Sequence, residues 1–228
     1  MIKTAGIIGG MGSAATVDLF KKIVNHTKAS KDQEHIPLII DNNTQIPDRT
    51  DFLFGRGSNP LGSLMNSAHK LIKMGADFLV MACNTSHYFY DEIAASVDVK
   101  VINIVEETAN EAAKLKINNI AILGTIGFLQ HVNYMKYYIR LGINVIIPQP
   151  NEQEVINDLI YKGIKAKKQD IDISKFLSVL DKLTDDGVEY VALSCTELPI
   201  AFSDYNIKYP MIDSNLVLAK CIIAEAMR

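Results

Sequence analysis

The stretch "GADFLVMACNTSH", residues 75–87, returns later in the chain as "GVEYVALSCTELP", residues 187–199. Each copy opens on a glycine, Gly75 or Gly187. An acidic residue stands two places on, Asp77 or Glu189, and a short apolar run then ends at a cysteine, Cys83 or Cys195. An apolar run of this length between turn residues reads as a strand buried on both faces. Burial alone does not demand a cysteine at the same place in both copies, so the repeat points to paired thiols in one two-sided site.

The duplication extends beyond these segments. In "GIIGGMGSAATVDLF", Gly9 and Gly12 match Gly124 and Gly127 of "AILGTIGFLQHVNYM". In "VKVINIVEETANEAAK", Ile102 matches Ile212 of "YPMIDSNLVLAKCIIA". The pairs keep their order and nearly keep their offset, which fits a duplicated domain and excludes a short solenoid repeat. Eight runs rich in Ile, Val and Leu read as parallel strands: "KTAGIIG", "IPLIIDN", "DFLVMA", "KVINI", "NNIAILG", "NVIIP", "EYVALS" and "YPMID". Amphipathic stretches such as "LGSLMNSAHKLIKMG", "EVINDLIYKGIKA" and "ISKFLSVLDKLTDDG" lie between them and read as helices.

Alternation of this kind predicts an α/β fold of two pseudo-symmetric, doubly wound (Rossmann/flavodoxin-like) domains, each with a parallel sheet, around an interdomain cleft. The expected boundaries are 1–101 plus 209–228 for the N-terminal domain and 102–208 for the C-terminal one. In this division the C-terminal strand and helix complete the first domain. The polar segment at about 43–60 reads as a long binding loop.

Composition narrows the function. The chain has 228 residues, enough for two domains, and its net charge of −3 without a long basic tract lacks the footprint of a nucleic-acid binder. No apolar run approaches the roughly 20 residues needed to span a bilayer. "MIKTAGIIGG" runs straight into a strand and a glycine turn, unlike a signal peptide, so a cytoplasmic location is expected. Three cysteines with no CxxC do not make a disulfide framework.

Ligands of open α/β sheets bind outside the carboxyl ends of the strands, where both repeated cysteines fall. Helix-terminal N–H groups there are expected to favour thiolate. One thiolate and one thiol on opposite faces of a carbon centre would remove a proton and deliver another, with a bell-shaped pH profile. Both cysteines precede polar residues, "NTSH" and "TELP", which a buried strand does not carry without partners. Cys221, within the apolar stripe of "AKCIIAEA", reads as core.

"GIIGGMGSAAT", "NNTQIPDRT", "MACNTSH", "LGTIGF" and "LSCTELP" together resemble the aspartate/glutamate racemase family, closest to its aspartate racemase branch. The resemblance covers nearly the whole chain. It implies cofactor-independent racemisation of an acidic amino acid in a cleft between two similar domains, often in a homodimer. Cys83 and Cys195 would be the acid/base thiols. Asn84, Thr85 and Thr125 would hold the α-carboxylate, Thr196 the substrate near the second thiol, and Arg49 and Lys165 the side-chain carboxylate. Gly10 and Met11 would line the cleft floor. Glu197 would meet the substrate ammonium or bond within its own helix start. The glutamate racemase branch carries Asp-Ser-Gly and Cys-Thr-His where this chain has "GGMG" and "CTE".

Other readings have weaker support. "GMGSAA", Gly10 to Ala15, with Asp41 closing the second strand, satisfies a relaxed dinucleotide-binding pattern but leaves the paired cysteines unexplained. Cys83 and His87 have helical metal-ligand spacing but lack further ligands, so no metal is expected. An amino-acid binding protein could use the same cleft, yet binding a dicarboxylate needs donors rather than thiols.

Overall fold

The structure, a computed structural model, describes residues 2–168 and 171–228. The apolar runs form β1 (Ala5–Gly9), β2 (Leu38–Asn42), β3 (Phe78–Met81), β4 (Lys100–Ile102), β5 (Asn119–Leu123), β6 (Asn144–Ile146), β7 (Tyr190–Leu193) and β8 (Met211–Asp213). All pairings are parallel, in two four-stranded sheets ordered β2-β1-β3-β4 and β6-β5-β7-β8. The second half therefore repeats the topology of the first. Every residue of β1 and β3 is buried, which is why these strands are apolar without alternation.

The first half contains the helices α1 (Ser13–His26), α2 (Arg49–Leu53), α3 (Leu61–Lys73) and α4 (Tyr90–Ala95). They are followed by α5 (Ile104–Lys114), α6 (Ile126–His131), α7 (Met135–Arg140), α8 (Pro150–Asp158), α9 (Ser174–Asp185), α10 (Leu198–Asp204) and α11 (Ser214–Ala226). Buried Leu64, Ala68 and Leu71 mark the inward face of α3, and Phe176, Val179, Leu180 and Leu183 that of α9. Gly75 and Gly187, which open the two copies, follow these helices at φ +101° and +82°. A left-handed turn sends the chain from helix into strand at both places, and glycine takes it without steric cost. None of the helices among the described residues is long and apolar enough to cross a membrane.

The helices after β4 and β8 join the halves. Asn103 caps α5 by accepting from the N–H groups of Val105 and Glu106, and Asp213 caps α11 through Leu216 N–H. Helix α5 packs against α7 and β8 of the second half, whereas α11 packs against α1 of the first. Lys3 and Lys100 pair with Glu225 of α11 at 2.9 and 2.8 Å. The expected boundary at residue 209 therefore falls too early for the strand: β8 is hydrogen-bonded to β7, and only the helix after it lies on the first half. One apolar core runs through the seam, from Ile7, Leu19 and Val80 through Ile104 and Ala109 to Ile120, Ala192, Leu218 and Ile222.

Two other elements depart from expectation. The loop at 43–60 holds the short helix α2, started by Asp48, whose carboxylate accepts from Asp51 N–H at 3.0 Å. The stretch 154–166 is not one regular helix. After α8 the backbone widens into a π-helical turn, Leu159–Lys165.

His87 fastens the cysteine turn after β3 to this seam. Its Nδ1 donates to the carbonyl of Cys83 at 2.9 Å, and its Nε2 accepts from Ile104 N–H at 3.3 Å. An imidazole that accepts at one nitrogen is neutral, and burial lowers its pKa from 6.5 to about 4. The unfolded chain takes up this proton first as the pH falls. The stabilisation from neutral His87 is complete above pH 6.5 and is lost between there and about pH 4, a loss on the order of 3 kcal/mol. Urea unfolding at pH 7 and pH 4.5 should show this decline in the wild type and a shallower one in His87→Gln. Leu218→Ala should cost roughly 2–5 kcal/mol. The shared core requires that near- and far-ultraviolet circular dichroism report one coincident transition for that variant.

Candidate active site

The carboxyl ends of the two sheets open on one cavity. Its walls hold Met11, Arg49, Cys83, Asn84 and Thr85 from the first half and Thr125, Lys165, Cys195, Thr196 and Glu197 from the second. Asp48, Thr50 and Tyr161 complete the lining. The space left for the centre of a water molecule is about 10 Å³, room for about one water. Gly10 lies outside this wall; its φ is +86°, and a Cβ would meet the backbone of Asn43 at 2.4 Å.

Gly12 and its match Gly127 each admit a side chain from the opposite half. A Cβ on Gly127 would stand 2.7 Å from Thr50 Oγ1, and one on Gly12 would stand 3.2 Å from Glu197 Oε1. Further contacts cross the cleft. Tyr161 donates its hydroxyl proton to Thr50 Oγ1 at 2.9 Å, the hydroxyls of Thr85 and Thr125 bond to each other at 3.0 Å, and Gly12 N–H donates to Glu197 at 3.3 Å.

The two thiols have opposite surroundings. Cys83 faces the buried guanidinium of Arg49. Arg49 donates from Nη1 to the carbonyls of Ile46 and Pro47 and from Nη2 to that of Met11, while its buried Nε–H has no partner. Burial works to lower the Arg49 pKa, but negative charge on Cys83 and Asp48 outweighs it and holds it above the ordinary value. Cys195 instead donates from Sγ to Glu197 Oε2 at 3.1 Å. Burial first, and then the Glu197 charge, push this thiol well above its ordinary range. The expected thiolate-favouring effect of a helix start is overturned at Cys195, because burial and the Glu197 charge outweigh the Glu197 backbone amide and the Lys165 charge that favour the thiolate.

Lys165 reaches the cavity from the π-helical turn, with Nζ 3.7 Å from Glu197 Oε1 and 5.0 Å from the centre of the Tyr161 ring. Burial works to lower its pKa, but the neighbouring charge of Glu197 raises it more, so it stays a cation. Burial lifts Tyr161 to about 12, so its hydroxyl keeps its proton. Asn84 Nδ2 donates to Ser214 Oγ at 3.2 Å. Ser214 spends its own proton on the carbonyl of Leu193 at 2.6 Å. That arrangement orients the Asn84 amide and leaves its buried Oδ1 without a partner.

Several alternatives lose their footing. The Gly12 amide that would meet a dinucleotide pyrophosphate is taken by Glu197, and Asp41 is paired with Lys70 at 2.7 Å. Both ring nitrogens of His87 are engaged within the fold, which leaves none for a metal beside Cys83. Cys221 is only partly buried, and its Sγ donates to Glu107 at 3.6 Å. Sequence reasoning passed over Asp48, Thr50 and Tyr161. The first two flank Arg49 and had only that adjacency as a signal, whereas the third precedes Lys165 by four residues, a helical spacing.

Comparison with known proteins agrees with this geometry. The broad specificity amino-acid racemase RacX of Bacillus subtilis (strain 168) is 27% identical over 223 residues, 96% of each chain. Picrophilus torridus aspartate racemase superposes with a TM-score of 0.88 at 30% identity, covering 99% of this chain and 94% of that one. An aspartate racemase homologue from Pyrococcus horikoshii OT3 superposes with a TM-score of 0.79 at 25% identity, covering 100% of both chains. The Asp/Glu/hydantoin racemase family model matches residues 8–222, from β1 through both cysteine turns into α11, and the chain belongs to that family.

Proposed function

We propose that the protein interconverts L- and D-aspartate without a cofactor, with Cys83 and Cys195 as the two acid/base groups. The observation that carries this reading is the meeting of both thiols, one from each half, in a cavity that also holds two buried or half-buried cations, Arg49 and Lys165. Inversion needs a base on one face of the α-carbon and an acid on the other. In one direction the α-C–H bond breaks as an S–H bond forms at ionised Cys83. The Cys195 S–H bond breaks as a C–H bond forms on the opposite face. The reverse direction exchanges these roles, and no electron or group is left over.

Charge develops on the α-carboxylate as the proton leaves. Hydroxyl donors held in a closed site are suited to stabilise it, and Thr85 and Thr125 supply them once they exchange their mutual bond for the substrate. Asn84 offers an acceptor through Oδ1, so its side chain suits the substrate ammonium better than the carboxylate. Arg49 and Lys165 answer the second carboxylate. A space that fits about one water cannot admit aspartate, so the halves part during turnover. The contacts that yield are Tyr161 to Thr50, Thr85 to Thr125 and Gly12 to Glu197.

A broader amino-acid range is the second reading, favoured by the likeness to the broad specificity RacX along nearly its whole length. A homodimer and a cytoplasmic location belong to the same proposal and are open to sedimentation and cell fractionation.

The first test is α-proton exchange on L-aspartate in D₂O. The wild type should exchange and invert, and Cys83→Ala and Cys195→Ala should each lose about 10²–10⁴-fold in turnover. Inversion surviving in either variant would remove the two-thiol mechanism, and wild-type exchange on none of the amino acids would favour the binding-protein reading. Arg49→Gln and Lys165→Gln should each weaken aspartate kcat/KM by about 10–100-fold, the worth of one charge-assisted hydrogen bond. If turnover of neutral amino acids fell equally, these cations would have no part in choosing a dicarboxylate.

A further inference from the structure

We propose that Glu197 is a positioning residue for the proton on Cys195 and not a ligand of the substrate. This inference rests on the two-thiol reading and gives its two halves unequal roles. A carboxylate offers about four lone-pair positions. Here Oε1 accepts from Gly12 N–H at 3.3 Å with the Lys165 ammonium 3.7 Å away, and Oε2 accepts from Cys195 Sγ at 3.1 Å and lies 3.4 Å from Thr196 Oγ1, whose proton it shares with the Ala82 carbonyl. Glu197 is only 2% exposed, and its Oε2 is held to Cys195 within the same turn, so the carboxylate is committed to the thiol before any substrate enters.

The repeat breaks its symmetry at this position. Two residues after Cys83 the first copy has Thr85, a neutral hydroxyl bonded to Thr125, and the Arg49 guanidinium lines the cavity beside Cys83. Two residues after Cys195 the second copy has a carboxylate. One thiol thus faces a cation and the other donates to an anion. The remaining groups around Cys195 are Lys165 and Tyr161 on the π-helical turn, with Cys83, Arg49 and Asp48 across the cleft. Among these, Lys165 alone opposes the effect of Glu197 at close range. The free protein therefore rests with the proton on Cys195, ready for the enantiomer whose α-proton faces Cys83. The other enantiomer must meet the rarer form. L- and D-aspartate have equal free energy, so kcat/KM is the same for both and this inequality can appear only as kcat and KM rising together.

The test compares wild type, Glu197→Gln and Glu197→Asp by iodoacetamide alkylation of Cys195, mapped by peptide mass, and by the pH profile of kcat/KM. In the wild type, Cys195 should label only above pH 9. Removing the negative charge favours the thiolate, so in Glu197→Gln the labelling midpoint and the alkaline limb of kcat/KM should both move down by about 1–3 pH units. Glu197→Asp should restore most of the wild-type value. Labelling of wild-type Cys195 at neutral pH overturns the proposal without any variant. So does a Glu197→Gln protein whose aspartate KM rises while its labelling midpoint and pH profile stay put, since that marks a substrate ligand. A shift in labelling with no wild-type turnover of aspartate would uphold the positioning role and overturn the racemase reading instead.

Discussion

Two sheets can direct their carboxyl ends at one small molecule only if something holds them face to face, and here that is the apolar seam of α1, α5 and α11. The exchange of α5 and α11 between the halves threads one core through both. The rest of the site follows from it. Once the seam sets the distance, Gly12 and Gly127 leave room for Glu197 and Thr50 of the opposite half, and the hydroxyls of Thr85 and Thr125 come within bonding distance. His87 then ties the first cysteine turn to the start of α5, so the position of Cys83 depends on the same crossover that joins the domains.

Within this nearly symmetric frame the charges are arranged asymmetrically. Arg49 enters from a loop that the first half alone extends, and its guanidinium is held by three backbone carbonyls. Lys165 enters from a π-helical turn that, among the described residues, the second half alone possesses. A widened turn changes the angle at which successive side chains leave the axis, which is how such turns come to serve functional sites. Duplication supplies two similar thiol positions, and local departures from it give the thiols different partners.

Much of this was legible in the chain. Buried parallel strands declare themselves as short apolar runs, and all eight were visible, because burial on both faces removes the polar residues that would blur them. The matched cysteines named Cys83 and Cys195, and the resemblance to the racemase family named eight further residues that line the cavity. Helix α2 was hidden because five residues begun by an Asp cap look like any polar loop. The π-helical turn was hidden because Leu159 and Ile160 keep the apolar spacing of a regular helix across the widening. The environment of Cys195 could not be read at all. It depends on where the Glu197 carboxylate points, and a capping role and a substrate contact are written with the same letter.

The exchanged helices also bear on synthesis. The inward face of α1, with Leu19 and Ile23, belongs to the first half but is covered by α11, which follows the strands of the second half. A nascent first half leaves the ribosome with that face still bare, and it must wait for the whole second half before its cover arrives. Exposed apolar surface of this kind draws aggregation or a chaperone. The geometry that lets two strand ends share one cavity thus delays completion of the first domain until the second has been made.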